Sequence, residues 1–157
     1  TAEPTPIAAF VEGVCEQFES YPGGVELELP TQDREIVMDN LRVRLLITNL
    51  VNNAIRHGEG NPIVVRVSFN GDFTHLEVED NGEGIAEEHL SQISEPFYRA
   101  DSSRQRNTGG FGLGLYLCRL IVKAHGGELI IQSQFGEGTK IKVKLPPHPP
   151  LEEPMDK

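Results

Sequence analysis

Apolar and polar positions alternate along the chain with two periods, one typical of helices and one typical of strands. Helical spacing predicts three main helices and a short one, at residues 6–20, 41–57, 113–124 and, for the short one, 86–92. Alternating or β-branched runs predict strands at 25–29, 34–38, 128–134 and 139–145, and two further strands within 62–80. Those two are joined at Asn70-Gly71, a dipeptide favoured in hairpin turns.

The predicted strands follow one another in pairs, and the helices do not alternate regularly with them. This order favours an α/β two-layer sandwich (α+β), in which three helices cover one face of a mixed, largely antiparallel sheet of about five strands. We expect residues 1–146 to form this domain and the proline-rich residues 147–157 to be a disordered tail. Residues 94–112 show little periodicity and predict a functional loop, mobile over 95–110 without ligand.

The charge balance limits the possible partners. A net charge of −10 argues against nucleic acid, which binds surfaces rich in lysine and arginine. A polyanionic small ligand is compatible with this charge if backbone N–H groups, a few cations or a metal ion form a local site. No apolar run reaches the roughly 20 residues that cross a bilayer, and Thr1–Pro6 lacks the features of a signal peptide.

Asparagines are unusually frequent in the helix predicted at 41–57, although asparagine is a poor helix former. Asn49, Asn53 and Arg56 are spaced i, i+4 and i+7, so they share a stripe beside the apolar face, and His57 lies at its end. A solvated helix face is one interpretation. The other is a ligand site, because amides offer oxygen ligands to Mg²⁺ and N–H donors to phosphate.

Two glycine-containing segments are candidates for the same site. In "VEDNGEGI" (78–85), Asp80 ends an apolar strand and could accept a hydrogen bond from an amino group, although an ordinary turn is the simpler interpretation. In "TGGFGLGLYLCRLIVKAHGG" (108–127), glycines precede and enter an apolar helix, which is typical of an anion site at a helix N-terminus or of close packing. The segment does not match a Walker A loop or a dinucleotide fingerprint.

The order of five motifs resembles the catalytic ATP-binding domain of bacterial sensor histidine kinases. These motifs are the asparagine-rich helix, "DNGEGI", "EPFYR", "GGFGLGL" and "GEGT", and the resemblance extends over about residues 6–146. Such kinases share the Bergerat (GHKL) fold with DNA gyrase, Hsp90 and MutL, and they have a mobile ATP lid. The resemblance implies that the domain binds ATP and Mg²⁺ and acts in two-component signal transduction.

The resemblance also implies roles for individual residues. Asn53 would be the Mg²⁺ ligand, Asn49 would contact phosphate or the metal shell, and Arg56 would contact phosphates. His57 takes the place of an aromatic residue near the nucleotide, and Asp80 would accept the adenine amino hydrogen. The motifs assign further nucleotide contacts to Gly82, Gly84, Ile85, Tyr98, Arg99, Gly110, Phe111, Gly112, Leu113, Gly114, Leu115 and, through water, Thr139.

Two positions bear on the choice between a kinase, an ATPase and a regulatory module. Phe111 stands where the family commonly has threonine or serine, which would change the phosphate contacts and the lid. Asn49 occupies the place of a glutamate that activates water in the gyrase, Hsp90 and MutL ATPases, so its amide favours phosphotransfer over hydrolysis. The alternatives are a GHKL-type ATPase and a regulatory nucleotide-binding module without phosphotransfer.

The phosphoacceptor is expected outside this chain. None of the five histidines lies in a context like H-E-[LIF]-[RK]-[ST]-P, so the target histidine would belong to a separate dimerisation domain of the same parent protein. A response regulator receiver domain would be the next acceptor. We expect this fragment to be a monomeric cytoplasmic domain, and its parent to be a homodimer anchored in the bacterial inner membrane.

Overall fold

The computed structural model describes residues 1–85 and 113–150, with the backbone alone for Leu113. A 3₁₀ turn at Glu16–Phe18 follows the first helix. The other elements, in chain order, are β1 (Ala2–Pro6), α1 (Ile7–Cys15), β2 (Val25–Glu28), β3 (Glu35–Asp39), α2 (Asn40–His57), β4 (Ile63–Asn70), β5 (Phe73–Asp80), α3 (Leu113–Ala124), β6 (Glu128–Gln134) and β7 (Gly138–Leu145).

Five of the strands form the main sheet, in the order β2-β4-β5-β7-β6. The β2–β4 pair is parallel, and the other three pairs are antiparallel. The sheet is therefore mixed and largely antiparallel, and the predicted fold class is confirmed. Strands β1 and β3 form a separate antiparallel pair.

The two faces of the main sheet differ in polarity. On one face, alternate residues of β4 and β5, such as Val65 and Leu76, are buried together with the apolar stripe of α2. On the other face, Arg66 of β4 forms ion pairs with Glu77 and Glu79 of β5, at 2.8 and 2.7 Å. This division follows the strand period of two and leaves the charged face to solvent.

Helix α2 begins and ends close to the predicted bounds. Asp39 is its N-cap, and its side chain accepts a hydrogen bond from the backbone N–H of Arg42 at 3.1 Å. Gly58 follows the last turn with a right-handed φ of −87°. A Cβ at Gly58 would lie 2.6 Å from the Ala54 carbonyl oxygen, so glycine is required there for close packing rather than for a left-handed turn.

The N-terminal part differs from the prediction in two ways. Residues Ala2–Pro6 form β1, although two prolines within five residues give no strand pattern. Proline is tolerated there because the pair β1–β3 has only two strands and leaves one side of β1 without a ladder. The helix predicted for 6–20 is interrupted after Cys15, where a 3₁₀ turn replaces it.

The β4–β5 hairpin and the chain after β7 complete the described part. The pair Asn70–Phe73 closes a two-residue loop in which Gly71 has a φ of +63°, a conformation that favours glycine. The carbonyl of Pro147 accepts a hydrogen bond from the N–H of Val37 at 2.8 Å.

The predicted short helix at 86–92, the loop at 94–112 and the end of the tail lie outside the described residues, and tail disorder stays a prediction. Within the described residues, helices are too short or too polar to cross a membrane.

Candidate nucleotide-binding site

The polar stripe of α2 contains a buried amide. Asn53 is only 5% exposed, and its Oδ1 has no hydrogen-bond partner among the described residues. Asn49, one turn earlier, is half-buried, whereas Asn52 and Arg56 are exposed. A buried carbonyl oxygen without a partner costs free energy, on the order of 1–3 kcal/mol. The position therefore suits a ligand that uses this oxygen, and Mg²⁺ takes oxygen ligands of this kind.

The first turn of α3 lies next to this stripe. A Cβ at Gly114 would be 4.0 Å from Oδ1 of Asn49, so the start of α3 faces the asparagines of α2. Leu115 is buried, and the Cys118 thiol contacts the Leu46 carbonyl oxygen at 3.9 Å, which keeps the two helices together. The N-terminal N–H groups of a helix have no partners within it and attract anions. Leu113 is the first residue of α3, and Gly110, Phe111 and Gly112 lie outside the described residues.

The acidic candidate lies at the end of β5. Asp80 is 4% exposed, and its Oδ1 accepts a hydrogen bond from the Gly82 N–H at 2.9 Å. Burial raises the pKa of Asp80 to about 6, although the hydrogen bonds from the backbone of Gly82 and Thr139 act in the opposite direction. The carboxyl group is thus mostly ionised at neutral pH, in a position where it can accept a hydrogen bond from an amino group.

The loop after Asp80 packs against the C-terminal end of α2. A Cβ at Gly82 would overlap the carbonyl oxygen of His57, so only glycine allows this approach. Burial lowers the pKa of the His57 imidazole to about 4, and the charge of Arg56 adds to the effect. At neutral pH His57 therefore offers a neutral, half-buried ring at the end of the asparagine stripe.

The β6–β7 hairpin closes the other side of the same loop. Gly84 has a φ of +79°, and a Cβ there would overlap the Gln134 carbonyl oxygen. Gly138 has a φ of +109°, and a Cβ there would overlap the Asp80 carbonyl oxygen. Ile85 and Thr139 are both buried, and Thr139 lies opposite Asp80 in the β5–β7 pair. The glycines of the "DNGEGI" and "GEGT" motifs thus hold the acidic residue against the hairpin.

The predicted residues form two groups in the structure. One group, on α2 and α3, contains amides and a helix N-terminus, and the other, around Asp80, contains a buried carboxylate. They meet at the C-terminal end of α2, where the Gly58 Cβ position is 3.5 Å from Cβ of Asp80. Tyr98 and Arg99 lie outside the described residues, so their predicted contacts are not tested.

One further polar residue was not predicted. Ser133 of β6 lies directly opposite Thr139 of β7, and its hydroxyl contacts Thr139, Gly138 and Ile85. The sequence contained one signal for this residue. Ser133 precedes the predicted site residue Thr139 by six positions, across a short hairpin, and residues so placed can face each other in a two-stranded ladder.

A two-layer domain with a buried amide, a helix N-terminus and a buried carboxylate has the features of a nucleotide-binding domain. The comparison with known proteins is more specific: the profile of the histidine kinase-, DNA gyrase B- and HSP90-like ATPases matches residues 38–149. The chain belongs to this family, and the predicted family is confirmed. Membership supports ATP as the ligand.

Individual relatives point to the histidine kinase branch. The chain is 34% identical over 148 residues to the sensor protein SrrB of Staphylococcus aureus strain MRSA252, a match that covers 92% of this chain and 25% of SrrB. The chain thus spans about a quarter of that relative's length. The predicted type of enzyme, a histidine kinase catalytic domain, is supported by these matches.

Solved structures of sensor kinases share the fold. The nucleotide-free catalytic domain of histidine kinase ThkA superimposes with a TM-score of 0.79 at 22% identity, over 95% of this chain and 97% of that one. The histidine kinase domain of the E. coli osmosensor EnvZ gives a TM-score of 0.72 at 29% identity, over 99% of this chain and 94% of that one.

Proposed function

We propose that this domain binds Mg-ATP and donates its γ-phosphoryl group to a histidine on a separate dimerisation domain. The observation that carries the proposal is the Asn53 side chain, whose buried Oδ1 has no hydrogen-bond partner among the described residues. Asn53 would hold a divalent cation through this amide oxygen, which is a ligand of the kind that Mg²⁺ takes. When bound, Mg²⁺ would neutralise phosphate charge.

The chain's own residues have distinct tasks in this proposal. Asn53 and the half-buried Asn49 hold the phosphate end together with the N–H groups at the start of α3, and Arg56 adds a positive charge. At the other end, Asp80 accepts a hydrogen bond from the adenine amino group, and Thr139 lies beside it. His57 remains neutral, so its ring adds contact surface without adding charge.

The reaction needs orientation more than proton transfer. The lone pair of the acceptor imidazole forms the new phosphorus–nitrogen bond while the bond to the β–γ bridging oxygen breaks and ADP leaves. Water is the competing nucleophile, and a carboxylate at position 49 could activate it. Asn49 cannot act as a general base, which favours transfer to histidine over hydrolysis.

The partners follow from this chemistry. The acceptor histidine would be supplied by the dimerisation domain of the parent protein, and a receiver domain of a response regulator would accept the phosphoryl group next. We further propose that the parent is a homodimer anchored in the bacterial inner membrane, with this domain on the cytoplasmic side and monomeric by itself. Residues 1–146 would form the catalytic domain.

Binding and transfer can be tested separately. Calorimetry should detect ATP binding that strengthens when Mg²⁺ is added, and labelled γ-phosphate should move to the parent's dimerisation domain supplied in trans. The variant Asn49→Glu should raise ATP hydrolysis by about tenfold or more, as expected for a gained general base, whereas Asn52→Glu, on the exposed side of α2, should not. Rapid hydrolysis by the unmodified chain without histidine transfer would favour the ATPase alternative, and binding without either reaction would favour the regulatory module.

A further inference from the structure

The hydroxyl of Ser133 forms hydrogen bonds with three residues of the candidate site. Its Oγ lies 2.7 Å from the Ile85 N–H in the loop after Asp80, 2.9 Å from the Gly138 carbonyl oxygen and 2.8 Å from the Thr139 Oγ1. Ile85 and Thr139 are both buried, and the three contacts are partly buried. Ser133 itself is only partly buried.

The donors and acceptors around Ser133 determine the direction of each hydrogen bond. A serine hydroxyl has one proton to donate and two lone pairs to accept. The Gly138 carbonyl can only accept, so it takes the Ser133 proton, and the Ile85 N–H can only donate, so it uses one lone pair. The contact with Thr139 must then use the second lone pair, which means that the Thr139 hydroxyl donates to Ser133.

This direction determines what Thr139 can offer to a ligand. With its proton directed at Ser133, Oγ1 of Thr139 has only lone pairs left, and it lies opposite Asp80, whose carboxylate also accepts. Among the described residues, the side chains of Asp80 and Thr139 thus both present acceptors at the purine end of the site. An amino group at purine C6 matches this set because it donates, whereas a carbonyl oxygen at C6 would face acceptors and bring no proton.

We propose that Ser133 is a positioning residue for nucleotide specificity: it holds the Thr139 proton away from the ligand, so the site favours 6-amino over 6-oxo purines. The proposal rests on the proposed function, because it assigns the base of the nucleotide to the Asp80 end. Ser133 acts through Thr139 and does not contact the base. When Ser133 is lost, the Thr139 hydroxyl is free to turn its proton towards the C6 position of the base.

The test compares ATP with inosine triphosphate (ITP), which carries a carbonyl in place of the amino group at C6. Calorimetry with Mg²⁺ should show that the unmodified chain prefers ATP. Ser133→Ala should lower the ATP-to-ITP affinity ratio by about 3- to 10-fold, as expected for one redirected hydrogen bond. Ser133→Thr retains a hydroxyl and should restore most of the ratio.

Each alternative has a separate outcome. If Ser133→Ala weakens ATP and ITP by the same factor, Ser133 has only a structural role and the inference is wrong. If Ser133→Ala does not fold, Thr139→Val tests the same acceptor and should also lower the ratio; an unchanged ratio there would overturn the inference. If the unmodified chain binds ATP but the substitutions leave the ATP-to-ITP affinity ratio unchanged, the role of Ser133 is wrong and the proposed function is retained. If the unmodified chain binds no nucleotide, both the proposed function and the role of Ser133 are wrong.

Discussion

The backbone N–H of Gly82 donates a hydrogen bond to Oδ1 of Asp80 at 2.9 Å, and the end of α2 packs against the Cα of Gly82. A Cβ at Gly82 would overlap the carbonyl oxygen of His57, so the same glycine both satisfies the buried carboxylate and permits the helix to approach it. The strand, the loop and the helix end therefore form one unit. A change at Gly82 should affect the fold before it affects the ligand.

Two glycines of the candidate site should respond differently to alanine. Gly82→Ala should lower the free energy of unfolding by more than about 2 kcal/mol, because a backbone carbonyl cannot move away without shifting α2 or the loop. Gly114→Ala has space among the described residues, where the nearest atom to its Cβ position outside its own helix is Oδ1 of Asn49 at 4.0 Å, and it should raise the free energy of unfolding by about 0.5–1 kcal/mol through better helix propensity. Urea denaturation measures both changes.

ATP affinity tests whether the phosphate end of the site lies at the start of α3. Gly114→Ala adds a methyl group between the start of α3 and Asn49, so it should weaken ATP binding although the domain is more stable. Gly13→Ala is a matched control, because Gly13 lies in α1, far from the candidate site along the chain, and no atom of the described part of the chain outside α1 lies within 4 Å of its Cβ position. If Gly114→Ala bound ATP as tightly as Gly13→Ala, the phosphate end would not lie at the start of α3.

Asp80 should make stability depend on pH in a recognisable direction. Its pKa is raised from 3.8 to about 6 by burial, so its contribution to stability is fully present below pH 4 and is lost as the pH rises through 6. Asp80→Asn removes this dependence. The difference in unfolding free energy, variant minus unmodified chain, should therefore increase by up to about 3 kcal/mol between pH 4 and pH 7.

The same substitution should also impair the ligand site. Asparagine can still accept a hydrogen bond from the Gly82 N–H, so the loop should remain in place. The amide lacks the charge of the carboxylate and can turn its NH₂ group towards the adenine amino group, so ATP affinity should fall by about tenfold or more. A difference in stability that stays flat across pH 4–7 would show that Asp80 is not as buried in solution as in the structure.

The helix-based part of the site could be predicted from the sequence because helical spacing translates directly into faces. The i, i+4 spacing of Asn49 and Asn53 predicted that both lie on one stripe of α2. Strand β1 could not be predicted, because its pairing with β3 depends on tertiary contact and its prolines oppose the pattern. Ser133 was missed for a similar reason, since its role comes from a residue across a hairpin.

His57 should respond to pH in the opposite direction to Asp80. Its pKa is lowered from 6.5 to about 4, so its contribution to stability is present above pH 6.5 and is lost as the pH falls through 4. His57→Gln keeps a polar side chain that does not titrate. As the pH falls from 6.5 to 4, its free energy of unfolding should therefore decrease less than that of the unmodified chain. An NMR titration of the His57 ring should give a midpoint near 4. A midpoint near 6.5 would mean that the ring is solvated and does not stay neutral under the assay conditions.

Asn53 provides the most direct test of the metal end of the site. Asn53→Ala should reduce Mg-ATP affinity by about 100-fold or more, the scale expected when a hydrogen-bonded or ligating group in a charged site is lost. The matched control is Asn52→Ala, which removes the same amide from the exposed side of the same helix and should leave affinity unchanged. Calorimetry with Mg²⁺ and with EDTA separates metal-dependent binding from the rest.

Stability decides whether that loss is specific to the ligand. Because Oδ1 of Asn53 has no partner among the described residues, removing it takes away an unsatisfied buried acceptor, and the free energy of unfolding should stay within about 1 kcal/mol of the unmodified chain. In EDTA, Asn53→Ala and the unmodified chain should bind ATP equally, since the contribution of the metal is then absent from both. A loss of affinity that persists in EDTA would move Asn53 from the metal to the nucleotide itself, and unchanged Mg-ATP affinity would remove it from the site.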